Sequence, residues 1–162
     1  AGELDLAVLI RPPFELPKEL MQVPLAREPF VLIVPPGLPG DDPLQLLREQ
    51  PFVRYDRRSF GGRQVERFLR EQRLTPREAL ELDELEAIVR MVECGLGVSL
   101  IPRAGLWCNR PQALRVLELG ELTFHRELVA TLRRAQRQPA LDWLLQCLAD
   151  PTYDEVSCRA EV

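Results

Sequence analysis

The strongest constraint on the fold is an amphipathic helix pattern followed closely by a short buried strand. From Asp83 to Cys94, apolar residues recur at intervals of three and four, as on one helical face. Asp83 suits the N-cap of this helix, with a capping-box glutamate three residues later, and Gly95 suits its left-handed end. Val98–Ile101 is then a continuous apolar run that stops at Pro102. A helix joined in this way to a buried strand favours an α/β fold.

Other apolar runs extend the same alternation of strands and helices. Helix starts are predicted at Asp42-Pro43, at Ser59 and at Pro139, whereas Pro17 and Pro24 disfavour a long helix over 14–27. Strands alternating with helices predict a parallel sheet with right-handed crossovers. The remaining strands are predicted at Leu4–Ile10, Phe30–Val34, Phe52–Tyr55, Glu78–Leu82, Arg115–Leu119 and Glu127–Arg133.

Charge and cysteine usage exclude several functional classes. The net charge is −4, which argues against this chain being the part of a protein that contacts DNA phosphates. The four cysteines form no C-x-x-C pair and His125 is the only histidine, so reduced thiols and no metal site are expected. No apolar run reaches the roughly 18 residues of a membrane span. The motifs of P-loop, dinucleotide-binding and common hydrolytic enzymes are missing, so neither catalysis nor a cofactor is predicted.

Ligands of open α/β sheets bind beyond the carboxyl ends of the strands. This rule selects Arg11 and Pro12 after the first strand, the segment Ser59-Phe60-Gly61-Gly62 after Phe52–Tyr55, and Pro102 after Val98–Ile101. A helix that starts at Ser59 would present free N–H groups to an anion, and the glycines would allow close approach. Alternatively, Ser59 only caps its helix and the glycines only turn the chain. The surrounding arginines either add charge to such a site or form a solvated rim: Arg54, Arg57, Arg58 and Arg63.

Four segments carry a more specific pattern. They are Gly2–Val8 (GELDLAV), Glu28–Pro35 (EPFVLIVP), Pro51–Leu69, and Asp83–Pro102 with its MVECGLGV core. Together and in this order they resemble the effector-binding domain of LysR-type bacterial transcriptional regulators. The resemblance implies a periplasmic-binding-protein-like (type II) fold with two α/β lobes. It assigns 28–116 to the second lobe, 1–27 and 117–150 to the first lobe, and 151–162 to a C-terminal tail.

The resemblance also implies a function. A small effector, often a carboxylate, would bind between the lobes, and the expected contacts are Arg11, Pro12, Ser59, Phe60, Gly61 and Pro102. Such proteins are cytoplasmic, form homodimers or higher oligomers, and contact DNA through an upstream winged helix-turn-helix, with no membrane partner. A solute-binding protein of a transport system, with the same fold, is the alternative. An enzyme that uses this two-lobed fold is a third possibility, against which the missing catalytic motifs count.

The start of the sequence departs from the family pattern. Only three residues precede Leu4, whereas further first-lobe elements and the DNA-binding region precede the corresponding strand in the family. The resemblance therefore predicts an N-terminally truncated chain with a complete second lobe and a partial first lobe. The sheet of that first lobe should have an unpaired edge.

Overall fold

The computed structural model of the chain describes residues 4–109, 113–136 and 138–149. Strands and helices alternate through most of this part, as the apolar pattern predicts. The strands are β1 (Leu6–Ile10), β2 (Leu20–Val34), β3 (Pro51–Tyr55), β4 (Arg77–Leu82), β5 (Ser99–Pro102), β6 (Arg115–Glu118) and β7 (His125–Arg133). The α-helices are α1 (Pro43–Glu49), α2 (Phe60–Glu71), α3 (Leu85–Glu93) and α4 (Pro139–Ala149).

The chain divides into two compact units. Unit 1 comprises the residues up to Arg27 and those from Glu127 onward, and unit 2 comprises Glu28–Arg126. The family resemblance predicted that the chain returns to the first lobe at residue 117, but residues 117–126 belong to unit 2. The reason is packing: β6 pairs with β2, and the Phe124 ring stacks on Phe30 with ring centroids 4.3 Å apart. The predicted tail, 151–162, lies outside the described residues.

The sheet of unit 2 is mixed rather than parallel. β3 pairs in parallel with β4, and Phe52 forms a parallel bridge to Val98 just before β5. However, β2 runs antiparallel to both β5 and β6. The expectation of a parallel sheet was wrong for β2, whose direction is set by these two pairings, and for β1 and β7, which also pair antiparallel.

The second strand is also longer than predicted. Its predicted part, Phe30–Val34, is the carboxyl-terminal third of a 15-residue strand that begins at Leu20 and crosses between the units. Pro24 and Pro29 lie within it, although proline removes a ladder donor and is typical of strand edges or irregular positions. In this strand the Pro29 carbonyl accepts a hydrogen bond from the Arg103 N–H at 2.7 Å.

Three helix ends test the capping predictions. The Asp42 side chain accepts hydrogen bonds from the N–H groups of Leu44 and Gln45, so this cap is confirmed. Gly95 has φ +80° after α3, as predicted. The Asp83 cap was wrong: α3 begins at Leu85, and its N-cap, Glu84, makes no side-chain cap bond. Leu82 is still held in β4, where its carbonyl accepts from the Asp56 N–H, so the chain needs two more residues before it can turn into a helix.

The two units differ in the size of their cores. The core of unit 2 is built from side chains of β2, β3 and β5 and of α1, α2 and α3, with Phe30, Leu32 and Leu100 fully buried. In unit 1, the buried cluster among the described residues consists of Ala130, Leu132 and Leu145, flanked by partly buried side chains. Within the described residues, no helix combines the length and the apolar character that a membrane crossing requires.

Candidate functional site

The first turn of α2 follows the carboxyl end of β3, as the sequence predicts. Ser59 is the N-cap, and its Oγ accepts a hydrogen bond from the Gly62 N–H at 2.9 Å. The same hydroxyl donates to the Asp56 carbonyl at 2.8 Å. Ser59 therefore caps α2, and any ligand that accepts the Ser59 proton must replace the Asp56 carbonyl.

Gly61 and Gly62 are required by close packing under this turn. A Cβ at Gly61 would lie 2.5 Å from Cε1 of Tyr55, and a Cβ at Gly62 would overlap the carbonyl of Asp56. Both glycines are buried. Phe60 is the first residue of α2, and the Arg63 guanidinium lies 5.5 Å from the centre of its ring. Because Gly61 and Gly62 lack side chains, the first turn of α2 can pack directly against Tyr55 and Asp56.

Pro102 lies at the same edge of the sheet. It is the last residue of β5, is buried, and pairs with Phe30 of β2. Since β3 and the start of β5 run parallel, their carboxyl ends point the same way, so Pro102 and the Ser59–Gly61 segment share this edge. Proline has no N–H, so Pro102 can shape the site but cannot donate a hydrogen bond to a ligand.

Arg11 and Pro12 belong to unit 1. The Arg11 Nε lies 2.8 Å from the Glu127 carboxylate, and both side chains are more than 40% exposed. The Arg11 N–H also donates to the Glu127 carbonyl at 2.7 Å, which extends the β1–β7 ladder. Both residues line a cavity of about 580 Å³ within unit 1, beside Lys18 and Arg134.

The arginines around α2 do not all form a solvated rim. Arg54 is only 4% exposed, and its guanidinium pairs with the Glu66 carboxylate and lies 3.1 Å from that of Glu78. It also lies 5.9 Å from the centre of the Phe52 ring. Arg54 is therefore a structural residue that joins β3 to β4 and α2. The exposed Arg58 is a genuine rim residue, and its Nε lies 3.3 Å from Asp56.

A cavity of about 520 Å³ opens beside this network at the ends of β3 and β4. A hydrogen bond from the Arg58 N–H lowers the pKa of Asp56, and one from the Arg57 N–H lowers the pKa of Glu81. Bonds to Glu81 and Glu78 raise the pKa of Arg57. These groups therefore stay charged at neutral pH. The lining residues are Asp56, Arg57, Arg58, Glu81, Leu82 and Asp83.

No local sequence pattern predicted the contacts that join Glu28, Arg126 and Tyr55 next to the first turn of α2; these three residues are called the contact chain below. The Arg126 Nη1 lies 3.4 Å from the Tyr55 hydroxyl, and its Nε donates to the Glu28 carboxylate. These partners are 71 and 98 positions apart in the sequence, so no local pattern could have joined them.

The cysteines and the histidine that the structure describes are not grouped into a second candidate site. Cys94 and Cys147 are free thiols, and Cys158 lies outside the described residues. His125 begins β7, and its carbonyl accepts a hydrogen bond from Gln64 Nε2 at 3.1 Å. Among the described residues, no three His, Cys, Asp or Glu side chains are grouped to hold a metal ion.

Comparisons with known proteins agree with this architecture. The "HTH-type transcriptional regulator TtuA" of Agrobacterium vitis is 29% identical over 169 aligned positions, which cover 99% of this chain and 55% of the relative. The chain thus spans about half the length of the curated relative that it matches.

Two solved structures share the fold. The effector-binding domain of QuiR in complex with shikimate superposes with a TM-score of 0.72 at 17% identity, covering 93% of this chain and 72% of that one. The Synechocystis CcmR regulatory domain in complex with 2-PG superposes with a TM-score of 0.73 at 20% identity, covering 99% and 76%. These neighbours establish a periplasmic-binding-protein-like type II fold.

The family of the LysR substrate binding domain matches residues 1–151. The chain belongs to the LysR substrate binding domain family, the effector-binding domain of LysR-type transcriptional regulators.

Proposed function

We propose that this chain senses a small anionic effector for a transcriptional regulator, and that the first turn of α2 holds the anion. The observation that carries this proposal is the Ser59–Gly61 segment at the carboxyl edge of β3 and β5. The first turn of a helix leaves N–H groups without helical acceptors, and the dipole of the 12-residue α2 adds positive potential there. A carboxylate or phosphate is the ligand chemistry that such a turn favours.

The named relatives support this ligand class. The structure of the QuiR effector-binding domain holds shikimate, which is a carboxylic acid, and that of the CcmR regulatory domain holds 2-PG. Ser59, Phe60 and Gly61 are the proposed contacts in unit 2, with Pro102 shaping the same edge. Arg11 and Pro12 are the proposed contacts in unit 1, where Arg11 would exchange its Glu127 partner for the effector.

The regulatory role rests on the family. The curated relative is a helix-turn-helix regulator, so the bound state of this domain would act on DNA through a part of the protein other than this acidic chain. A regulator of this kind works in the bacterial cytoplasm. The transport alternative is not favoured, because the family match and the curated relative are both regulatory.

Self-association belongs to the same proposal. In the described part of unit 1, β1 pairs with β7 and ends the strand order, and apolar side chains stay open to solvent. Val8 is 47% exposed and Trp143 is 68% exposed. We therefore expect a dimer or larger species in sedimentation experiments, and a strictly monomeric profile at high concentration would contradict this part of the proposal.

Calorimetric titration of the chain with a panel of small carboxylates and phosphates, including shikimate, tests the site. Ser59→Ala should weaken binding by about 1 kcal/mol or more, since it removes a hydrogen bond to a charged ligand. Because Ser59→Ala also removes a helix cap, Asp42→Ala is the matched control: it removes the cap of α1 and should leave affinity unchanged. Equal effects of the two substitutions would remove Ser59 from the binding site.

A further inference from the structure

The Glu28–Arg126 ion pair occupies a particular place in the chain. Glu28 is the first residue of unit 2 and Arg126 is the last, so the pair joins the two points where the backbone enters and leaves this unit. The Arg126 side chain is 11% exposed and that of Glu28 is 16% exposed. In such a shielded position, a charge-assisted hydrogen bond is stronger than on an open surface, and loss of one partner leaves an uncompensated charge.

Arg126 has a second partner, which leads to the first turn of α2. Its Nη1 lies 3.4 Å from the Tyr55 hydroxyl, and the Tyr55 side chain is buried. The Tyr55 ring fills the volume that a Cβ of Gly61 would need: Cε1 would lie 2.5 Å and the hydroxyl oxygen 3.1 Å from that atom. A shift of the first turn of α2 toward the Tyr55 ring would therefore displace the ring, and the hydroxyl moves with the ring.

We propose that Arg126 is a positioning residue that couples the first turn of α2, through Tyr55, to the chain crossing at Glu28. If α2 holds the effector, as the proposed function states, effector binding would act through these contacts on the Glu28–Arg126 pair, where the backbone enters and leaves unit 2. Arginine suits this role because its Nε and Nη1 donate in fixed, different directions. A lysine offers a single ammonium group and cannot keep both geometries.

Amide hydrogen exchange of the 162-residue chain, measured without any effector, tests the coupling. Two amides report on its ends: the Gly62 N–H donates to Ser59 Oγ, and the Phe30 N–H donates to the Phe124 carbonyl, both at 2.9 Å. Ile88 in α3, whose N–H donates to the Glu84 carbonyl, is the internal reference for general unfolding. Because no ligand is added, a failure of the proposed effector site would not alter this result.

Tyr55→Phe keeps the ring against Gly61 but removes the hydroxyl. It should accelerate exchange at Phe30 about fivefold relative to Ile88, the factor expected for one lost hydrogen bond. Glu28→Gln should accelerate exchange at Gly62 in return, since coupling between two sites is reciprocal. Arg126→Lys should accelerate exchange at both reporters.

Arg115→Lys is the matched control. Arg115 also bridges distant segments of unit 2, with bonds to Asp41 and to the carbonyls of Leu38 and Gly40, but it does not belong to this contact chain. It should leave the exchange rates of Phe30 and Gly62 unchanged relative to Ile88. Two results would overturn the proposal: an effect of Tyr55→Phe confined to Gly62, or equal acceleration of all three amides.

Discussion

Unit 2 has a much larger buried apolar core than the described part of unit 1. In unit 2, side chains from three strands and three α-helices form one buried cluster, and the Phe124 ring stacks on those of Phe30 and Phe68. In the described part of unit 1, three side chains form the buried cluster, while Trp143 and other apolar residues of α4 face solvent. Burial of apolar surface is the main stabilising term of folding, so the two units should differ in local stability.

The proposed contact residues of the two units also differ in how firmly their surroundings hold them. The first turn of α2, with Ser59, Gly61 and Gly62, rests on the large core of unit 2 and is held by close contacts to Tyr55 and Asp56. Arg11 of unit 1 is held by a half-exposed ion pair, and exposed pairs contribute little to stability. We therefore interpret the first turn of α2 as the more rigid, and the Arg11 surface as the more adaptable, of the two groups of proposed contacts.

The largest expected effect comes from the cores. Leu100→Ala removes a fully buried side chain of unit 2 and should lower its free energy of unfolding by about 2–5 kcal/mol. Leu132→Ala in unit 1 should cost about 2 kcal/mol or less, because its partly buried neighbours can collapse into the space. Trp107, which is 1% exposed, reports on unit 2 by fluorescence during urea unfolding, and the Arg11 amide reports on unit 1 by hydrogen exchange. Equal losses of free energy of unfolding for the two variants would contradict the proposed difference in local stability between the units.

The next effect concerns the close packing of the site itself. Gly62→Ala places a methyl group on the Asp56 carbonyl, and backbone cannot move aside as a flexible side chain can. We expect a loss of about 1–3 kcal/mol in the free energy of unfolding of unit 2. Gly37→Ala is the control, since a Cβ there meets nothing within 4 Å. If both variants unfold at the same urea concentration, the first turn of α2 is not held as tightly as the comparison requires.

The smallest effect is a pH dependence of the charged edge of unit 2. Bonds from Arg57 lower the pKa of Glu81 below its ordinary value of 4.5. The associated stability is therefore present above that value and is lost as the pH falls through the lowered pKa of the folded state. Glu81→Gln should destabilise unit 2 slightly at neutral pH, with the difference from the parent disappearing in acid.

Glu127→Gln provides the matched control for the pH prediction. It removes the carboxylate that pairs with Arg11 in unit 1, so it should leave the acid limb of Trp107 fluorescence unchanged. Urea midpoints measured between neutral and acid pH for the parent and both variants give the comparison. A difference between Glu81→Gln and the parent that grows on acidification would contradict the assigned contacts.

The features that sequence predicts well are local ones. The caps at Asp42 and Ser59 and the left-handed Gly95 depend on residues within a few positions of one another. Most buried strands were predicted for the same reason, since an apolar run bounded by prolines or glycines is a local pattern. The position of the Ser59 segment at a strand end followed from these elements and from the general rule for α/β sheets.

The features that were missed depend on distant partners. The direction of β2 is set by pairing with β5 and β6 far along the chain, and the burial of Arg54 depends on Glu66 and Glu78. The contact of Tyr55 with Arg126 joins residues 71 positions apart. Asp83 was predicted as the N-cap of α3 from a local pattern, but the N-cap is Glu84. The reason is again a distant partner, since the Leu82 carbonyl still accepts a hydrogen bond from the Asp56 N–H.

The most direct test of the central claim is a heteronuclear NMR titration of the labelled chain with sulfate and with shikimate. The claim predicts saturable shifts at the amides of Phe60, Gly61 and Gly62, with a dissociation constant that is about fivefold or more higher in Ser59→Ala and unchanged in Asp42→Ala. Saturable shifts elsewhere, with these three amides unmoved, would contradict the claim that the first turn of α2 holds the effector anion.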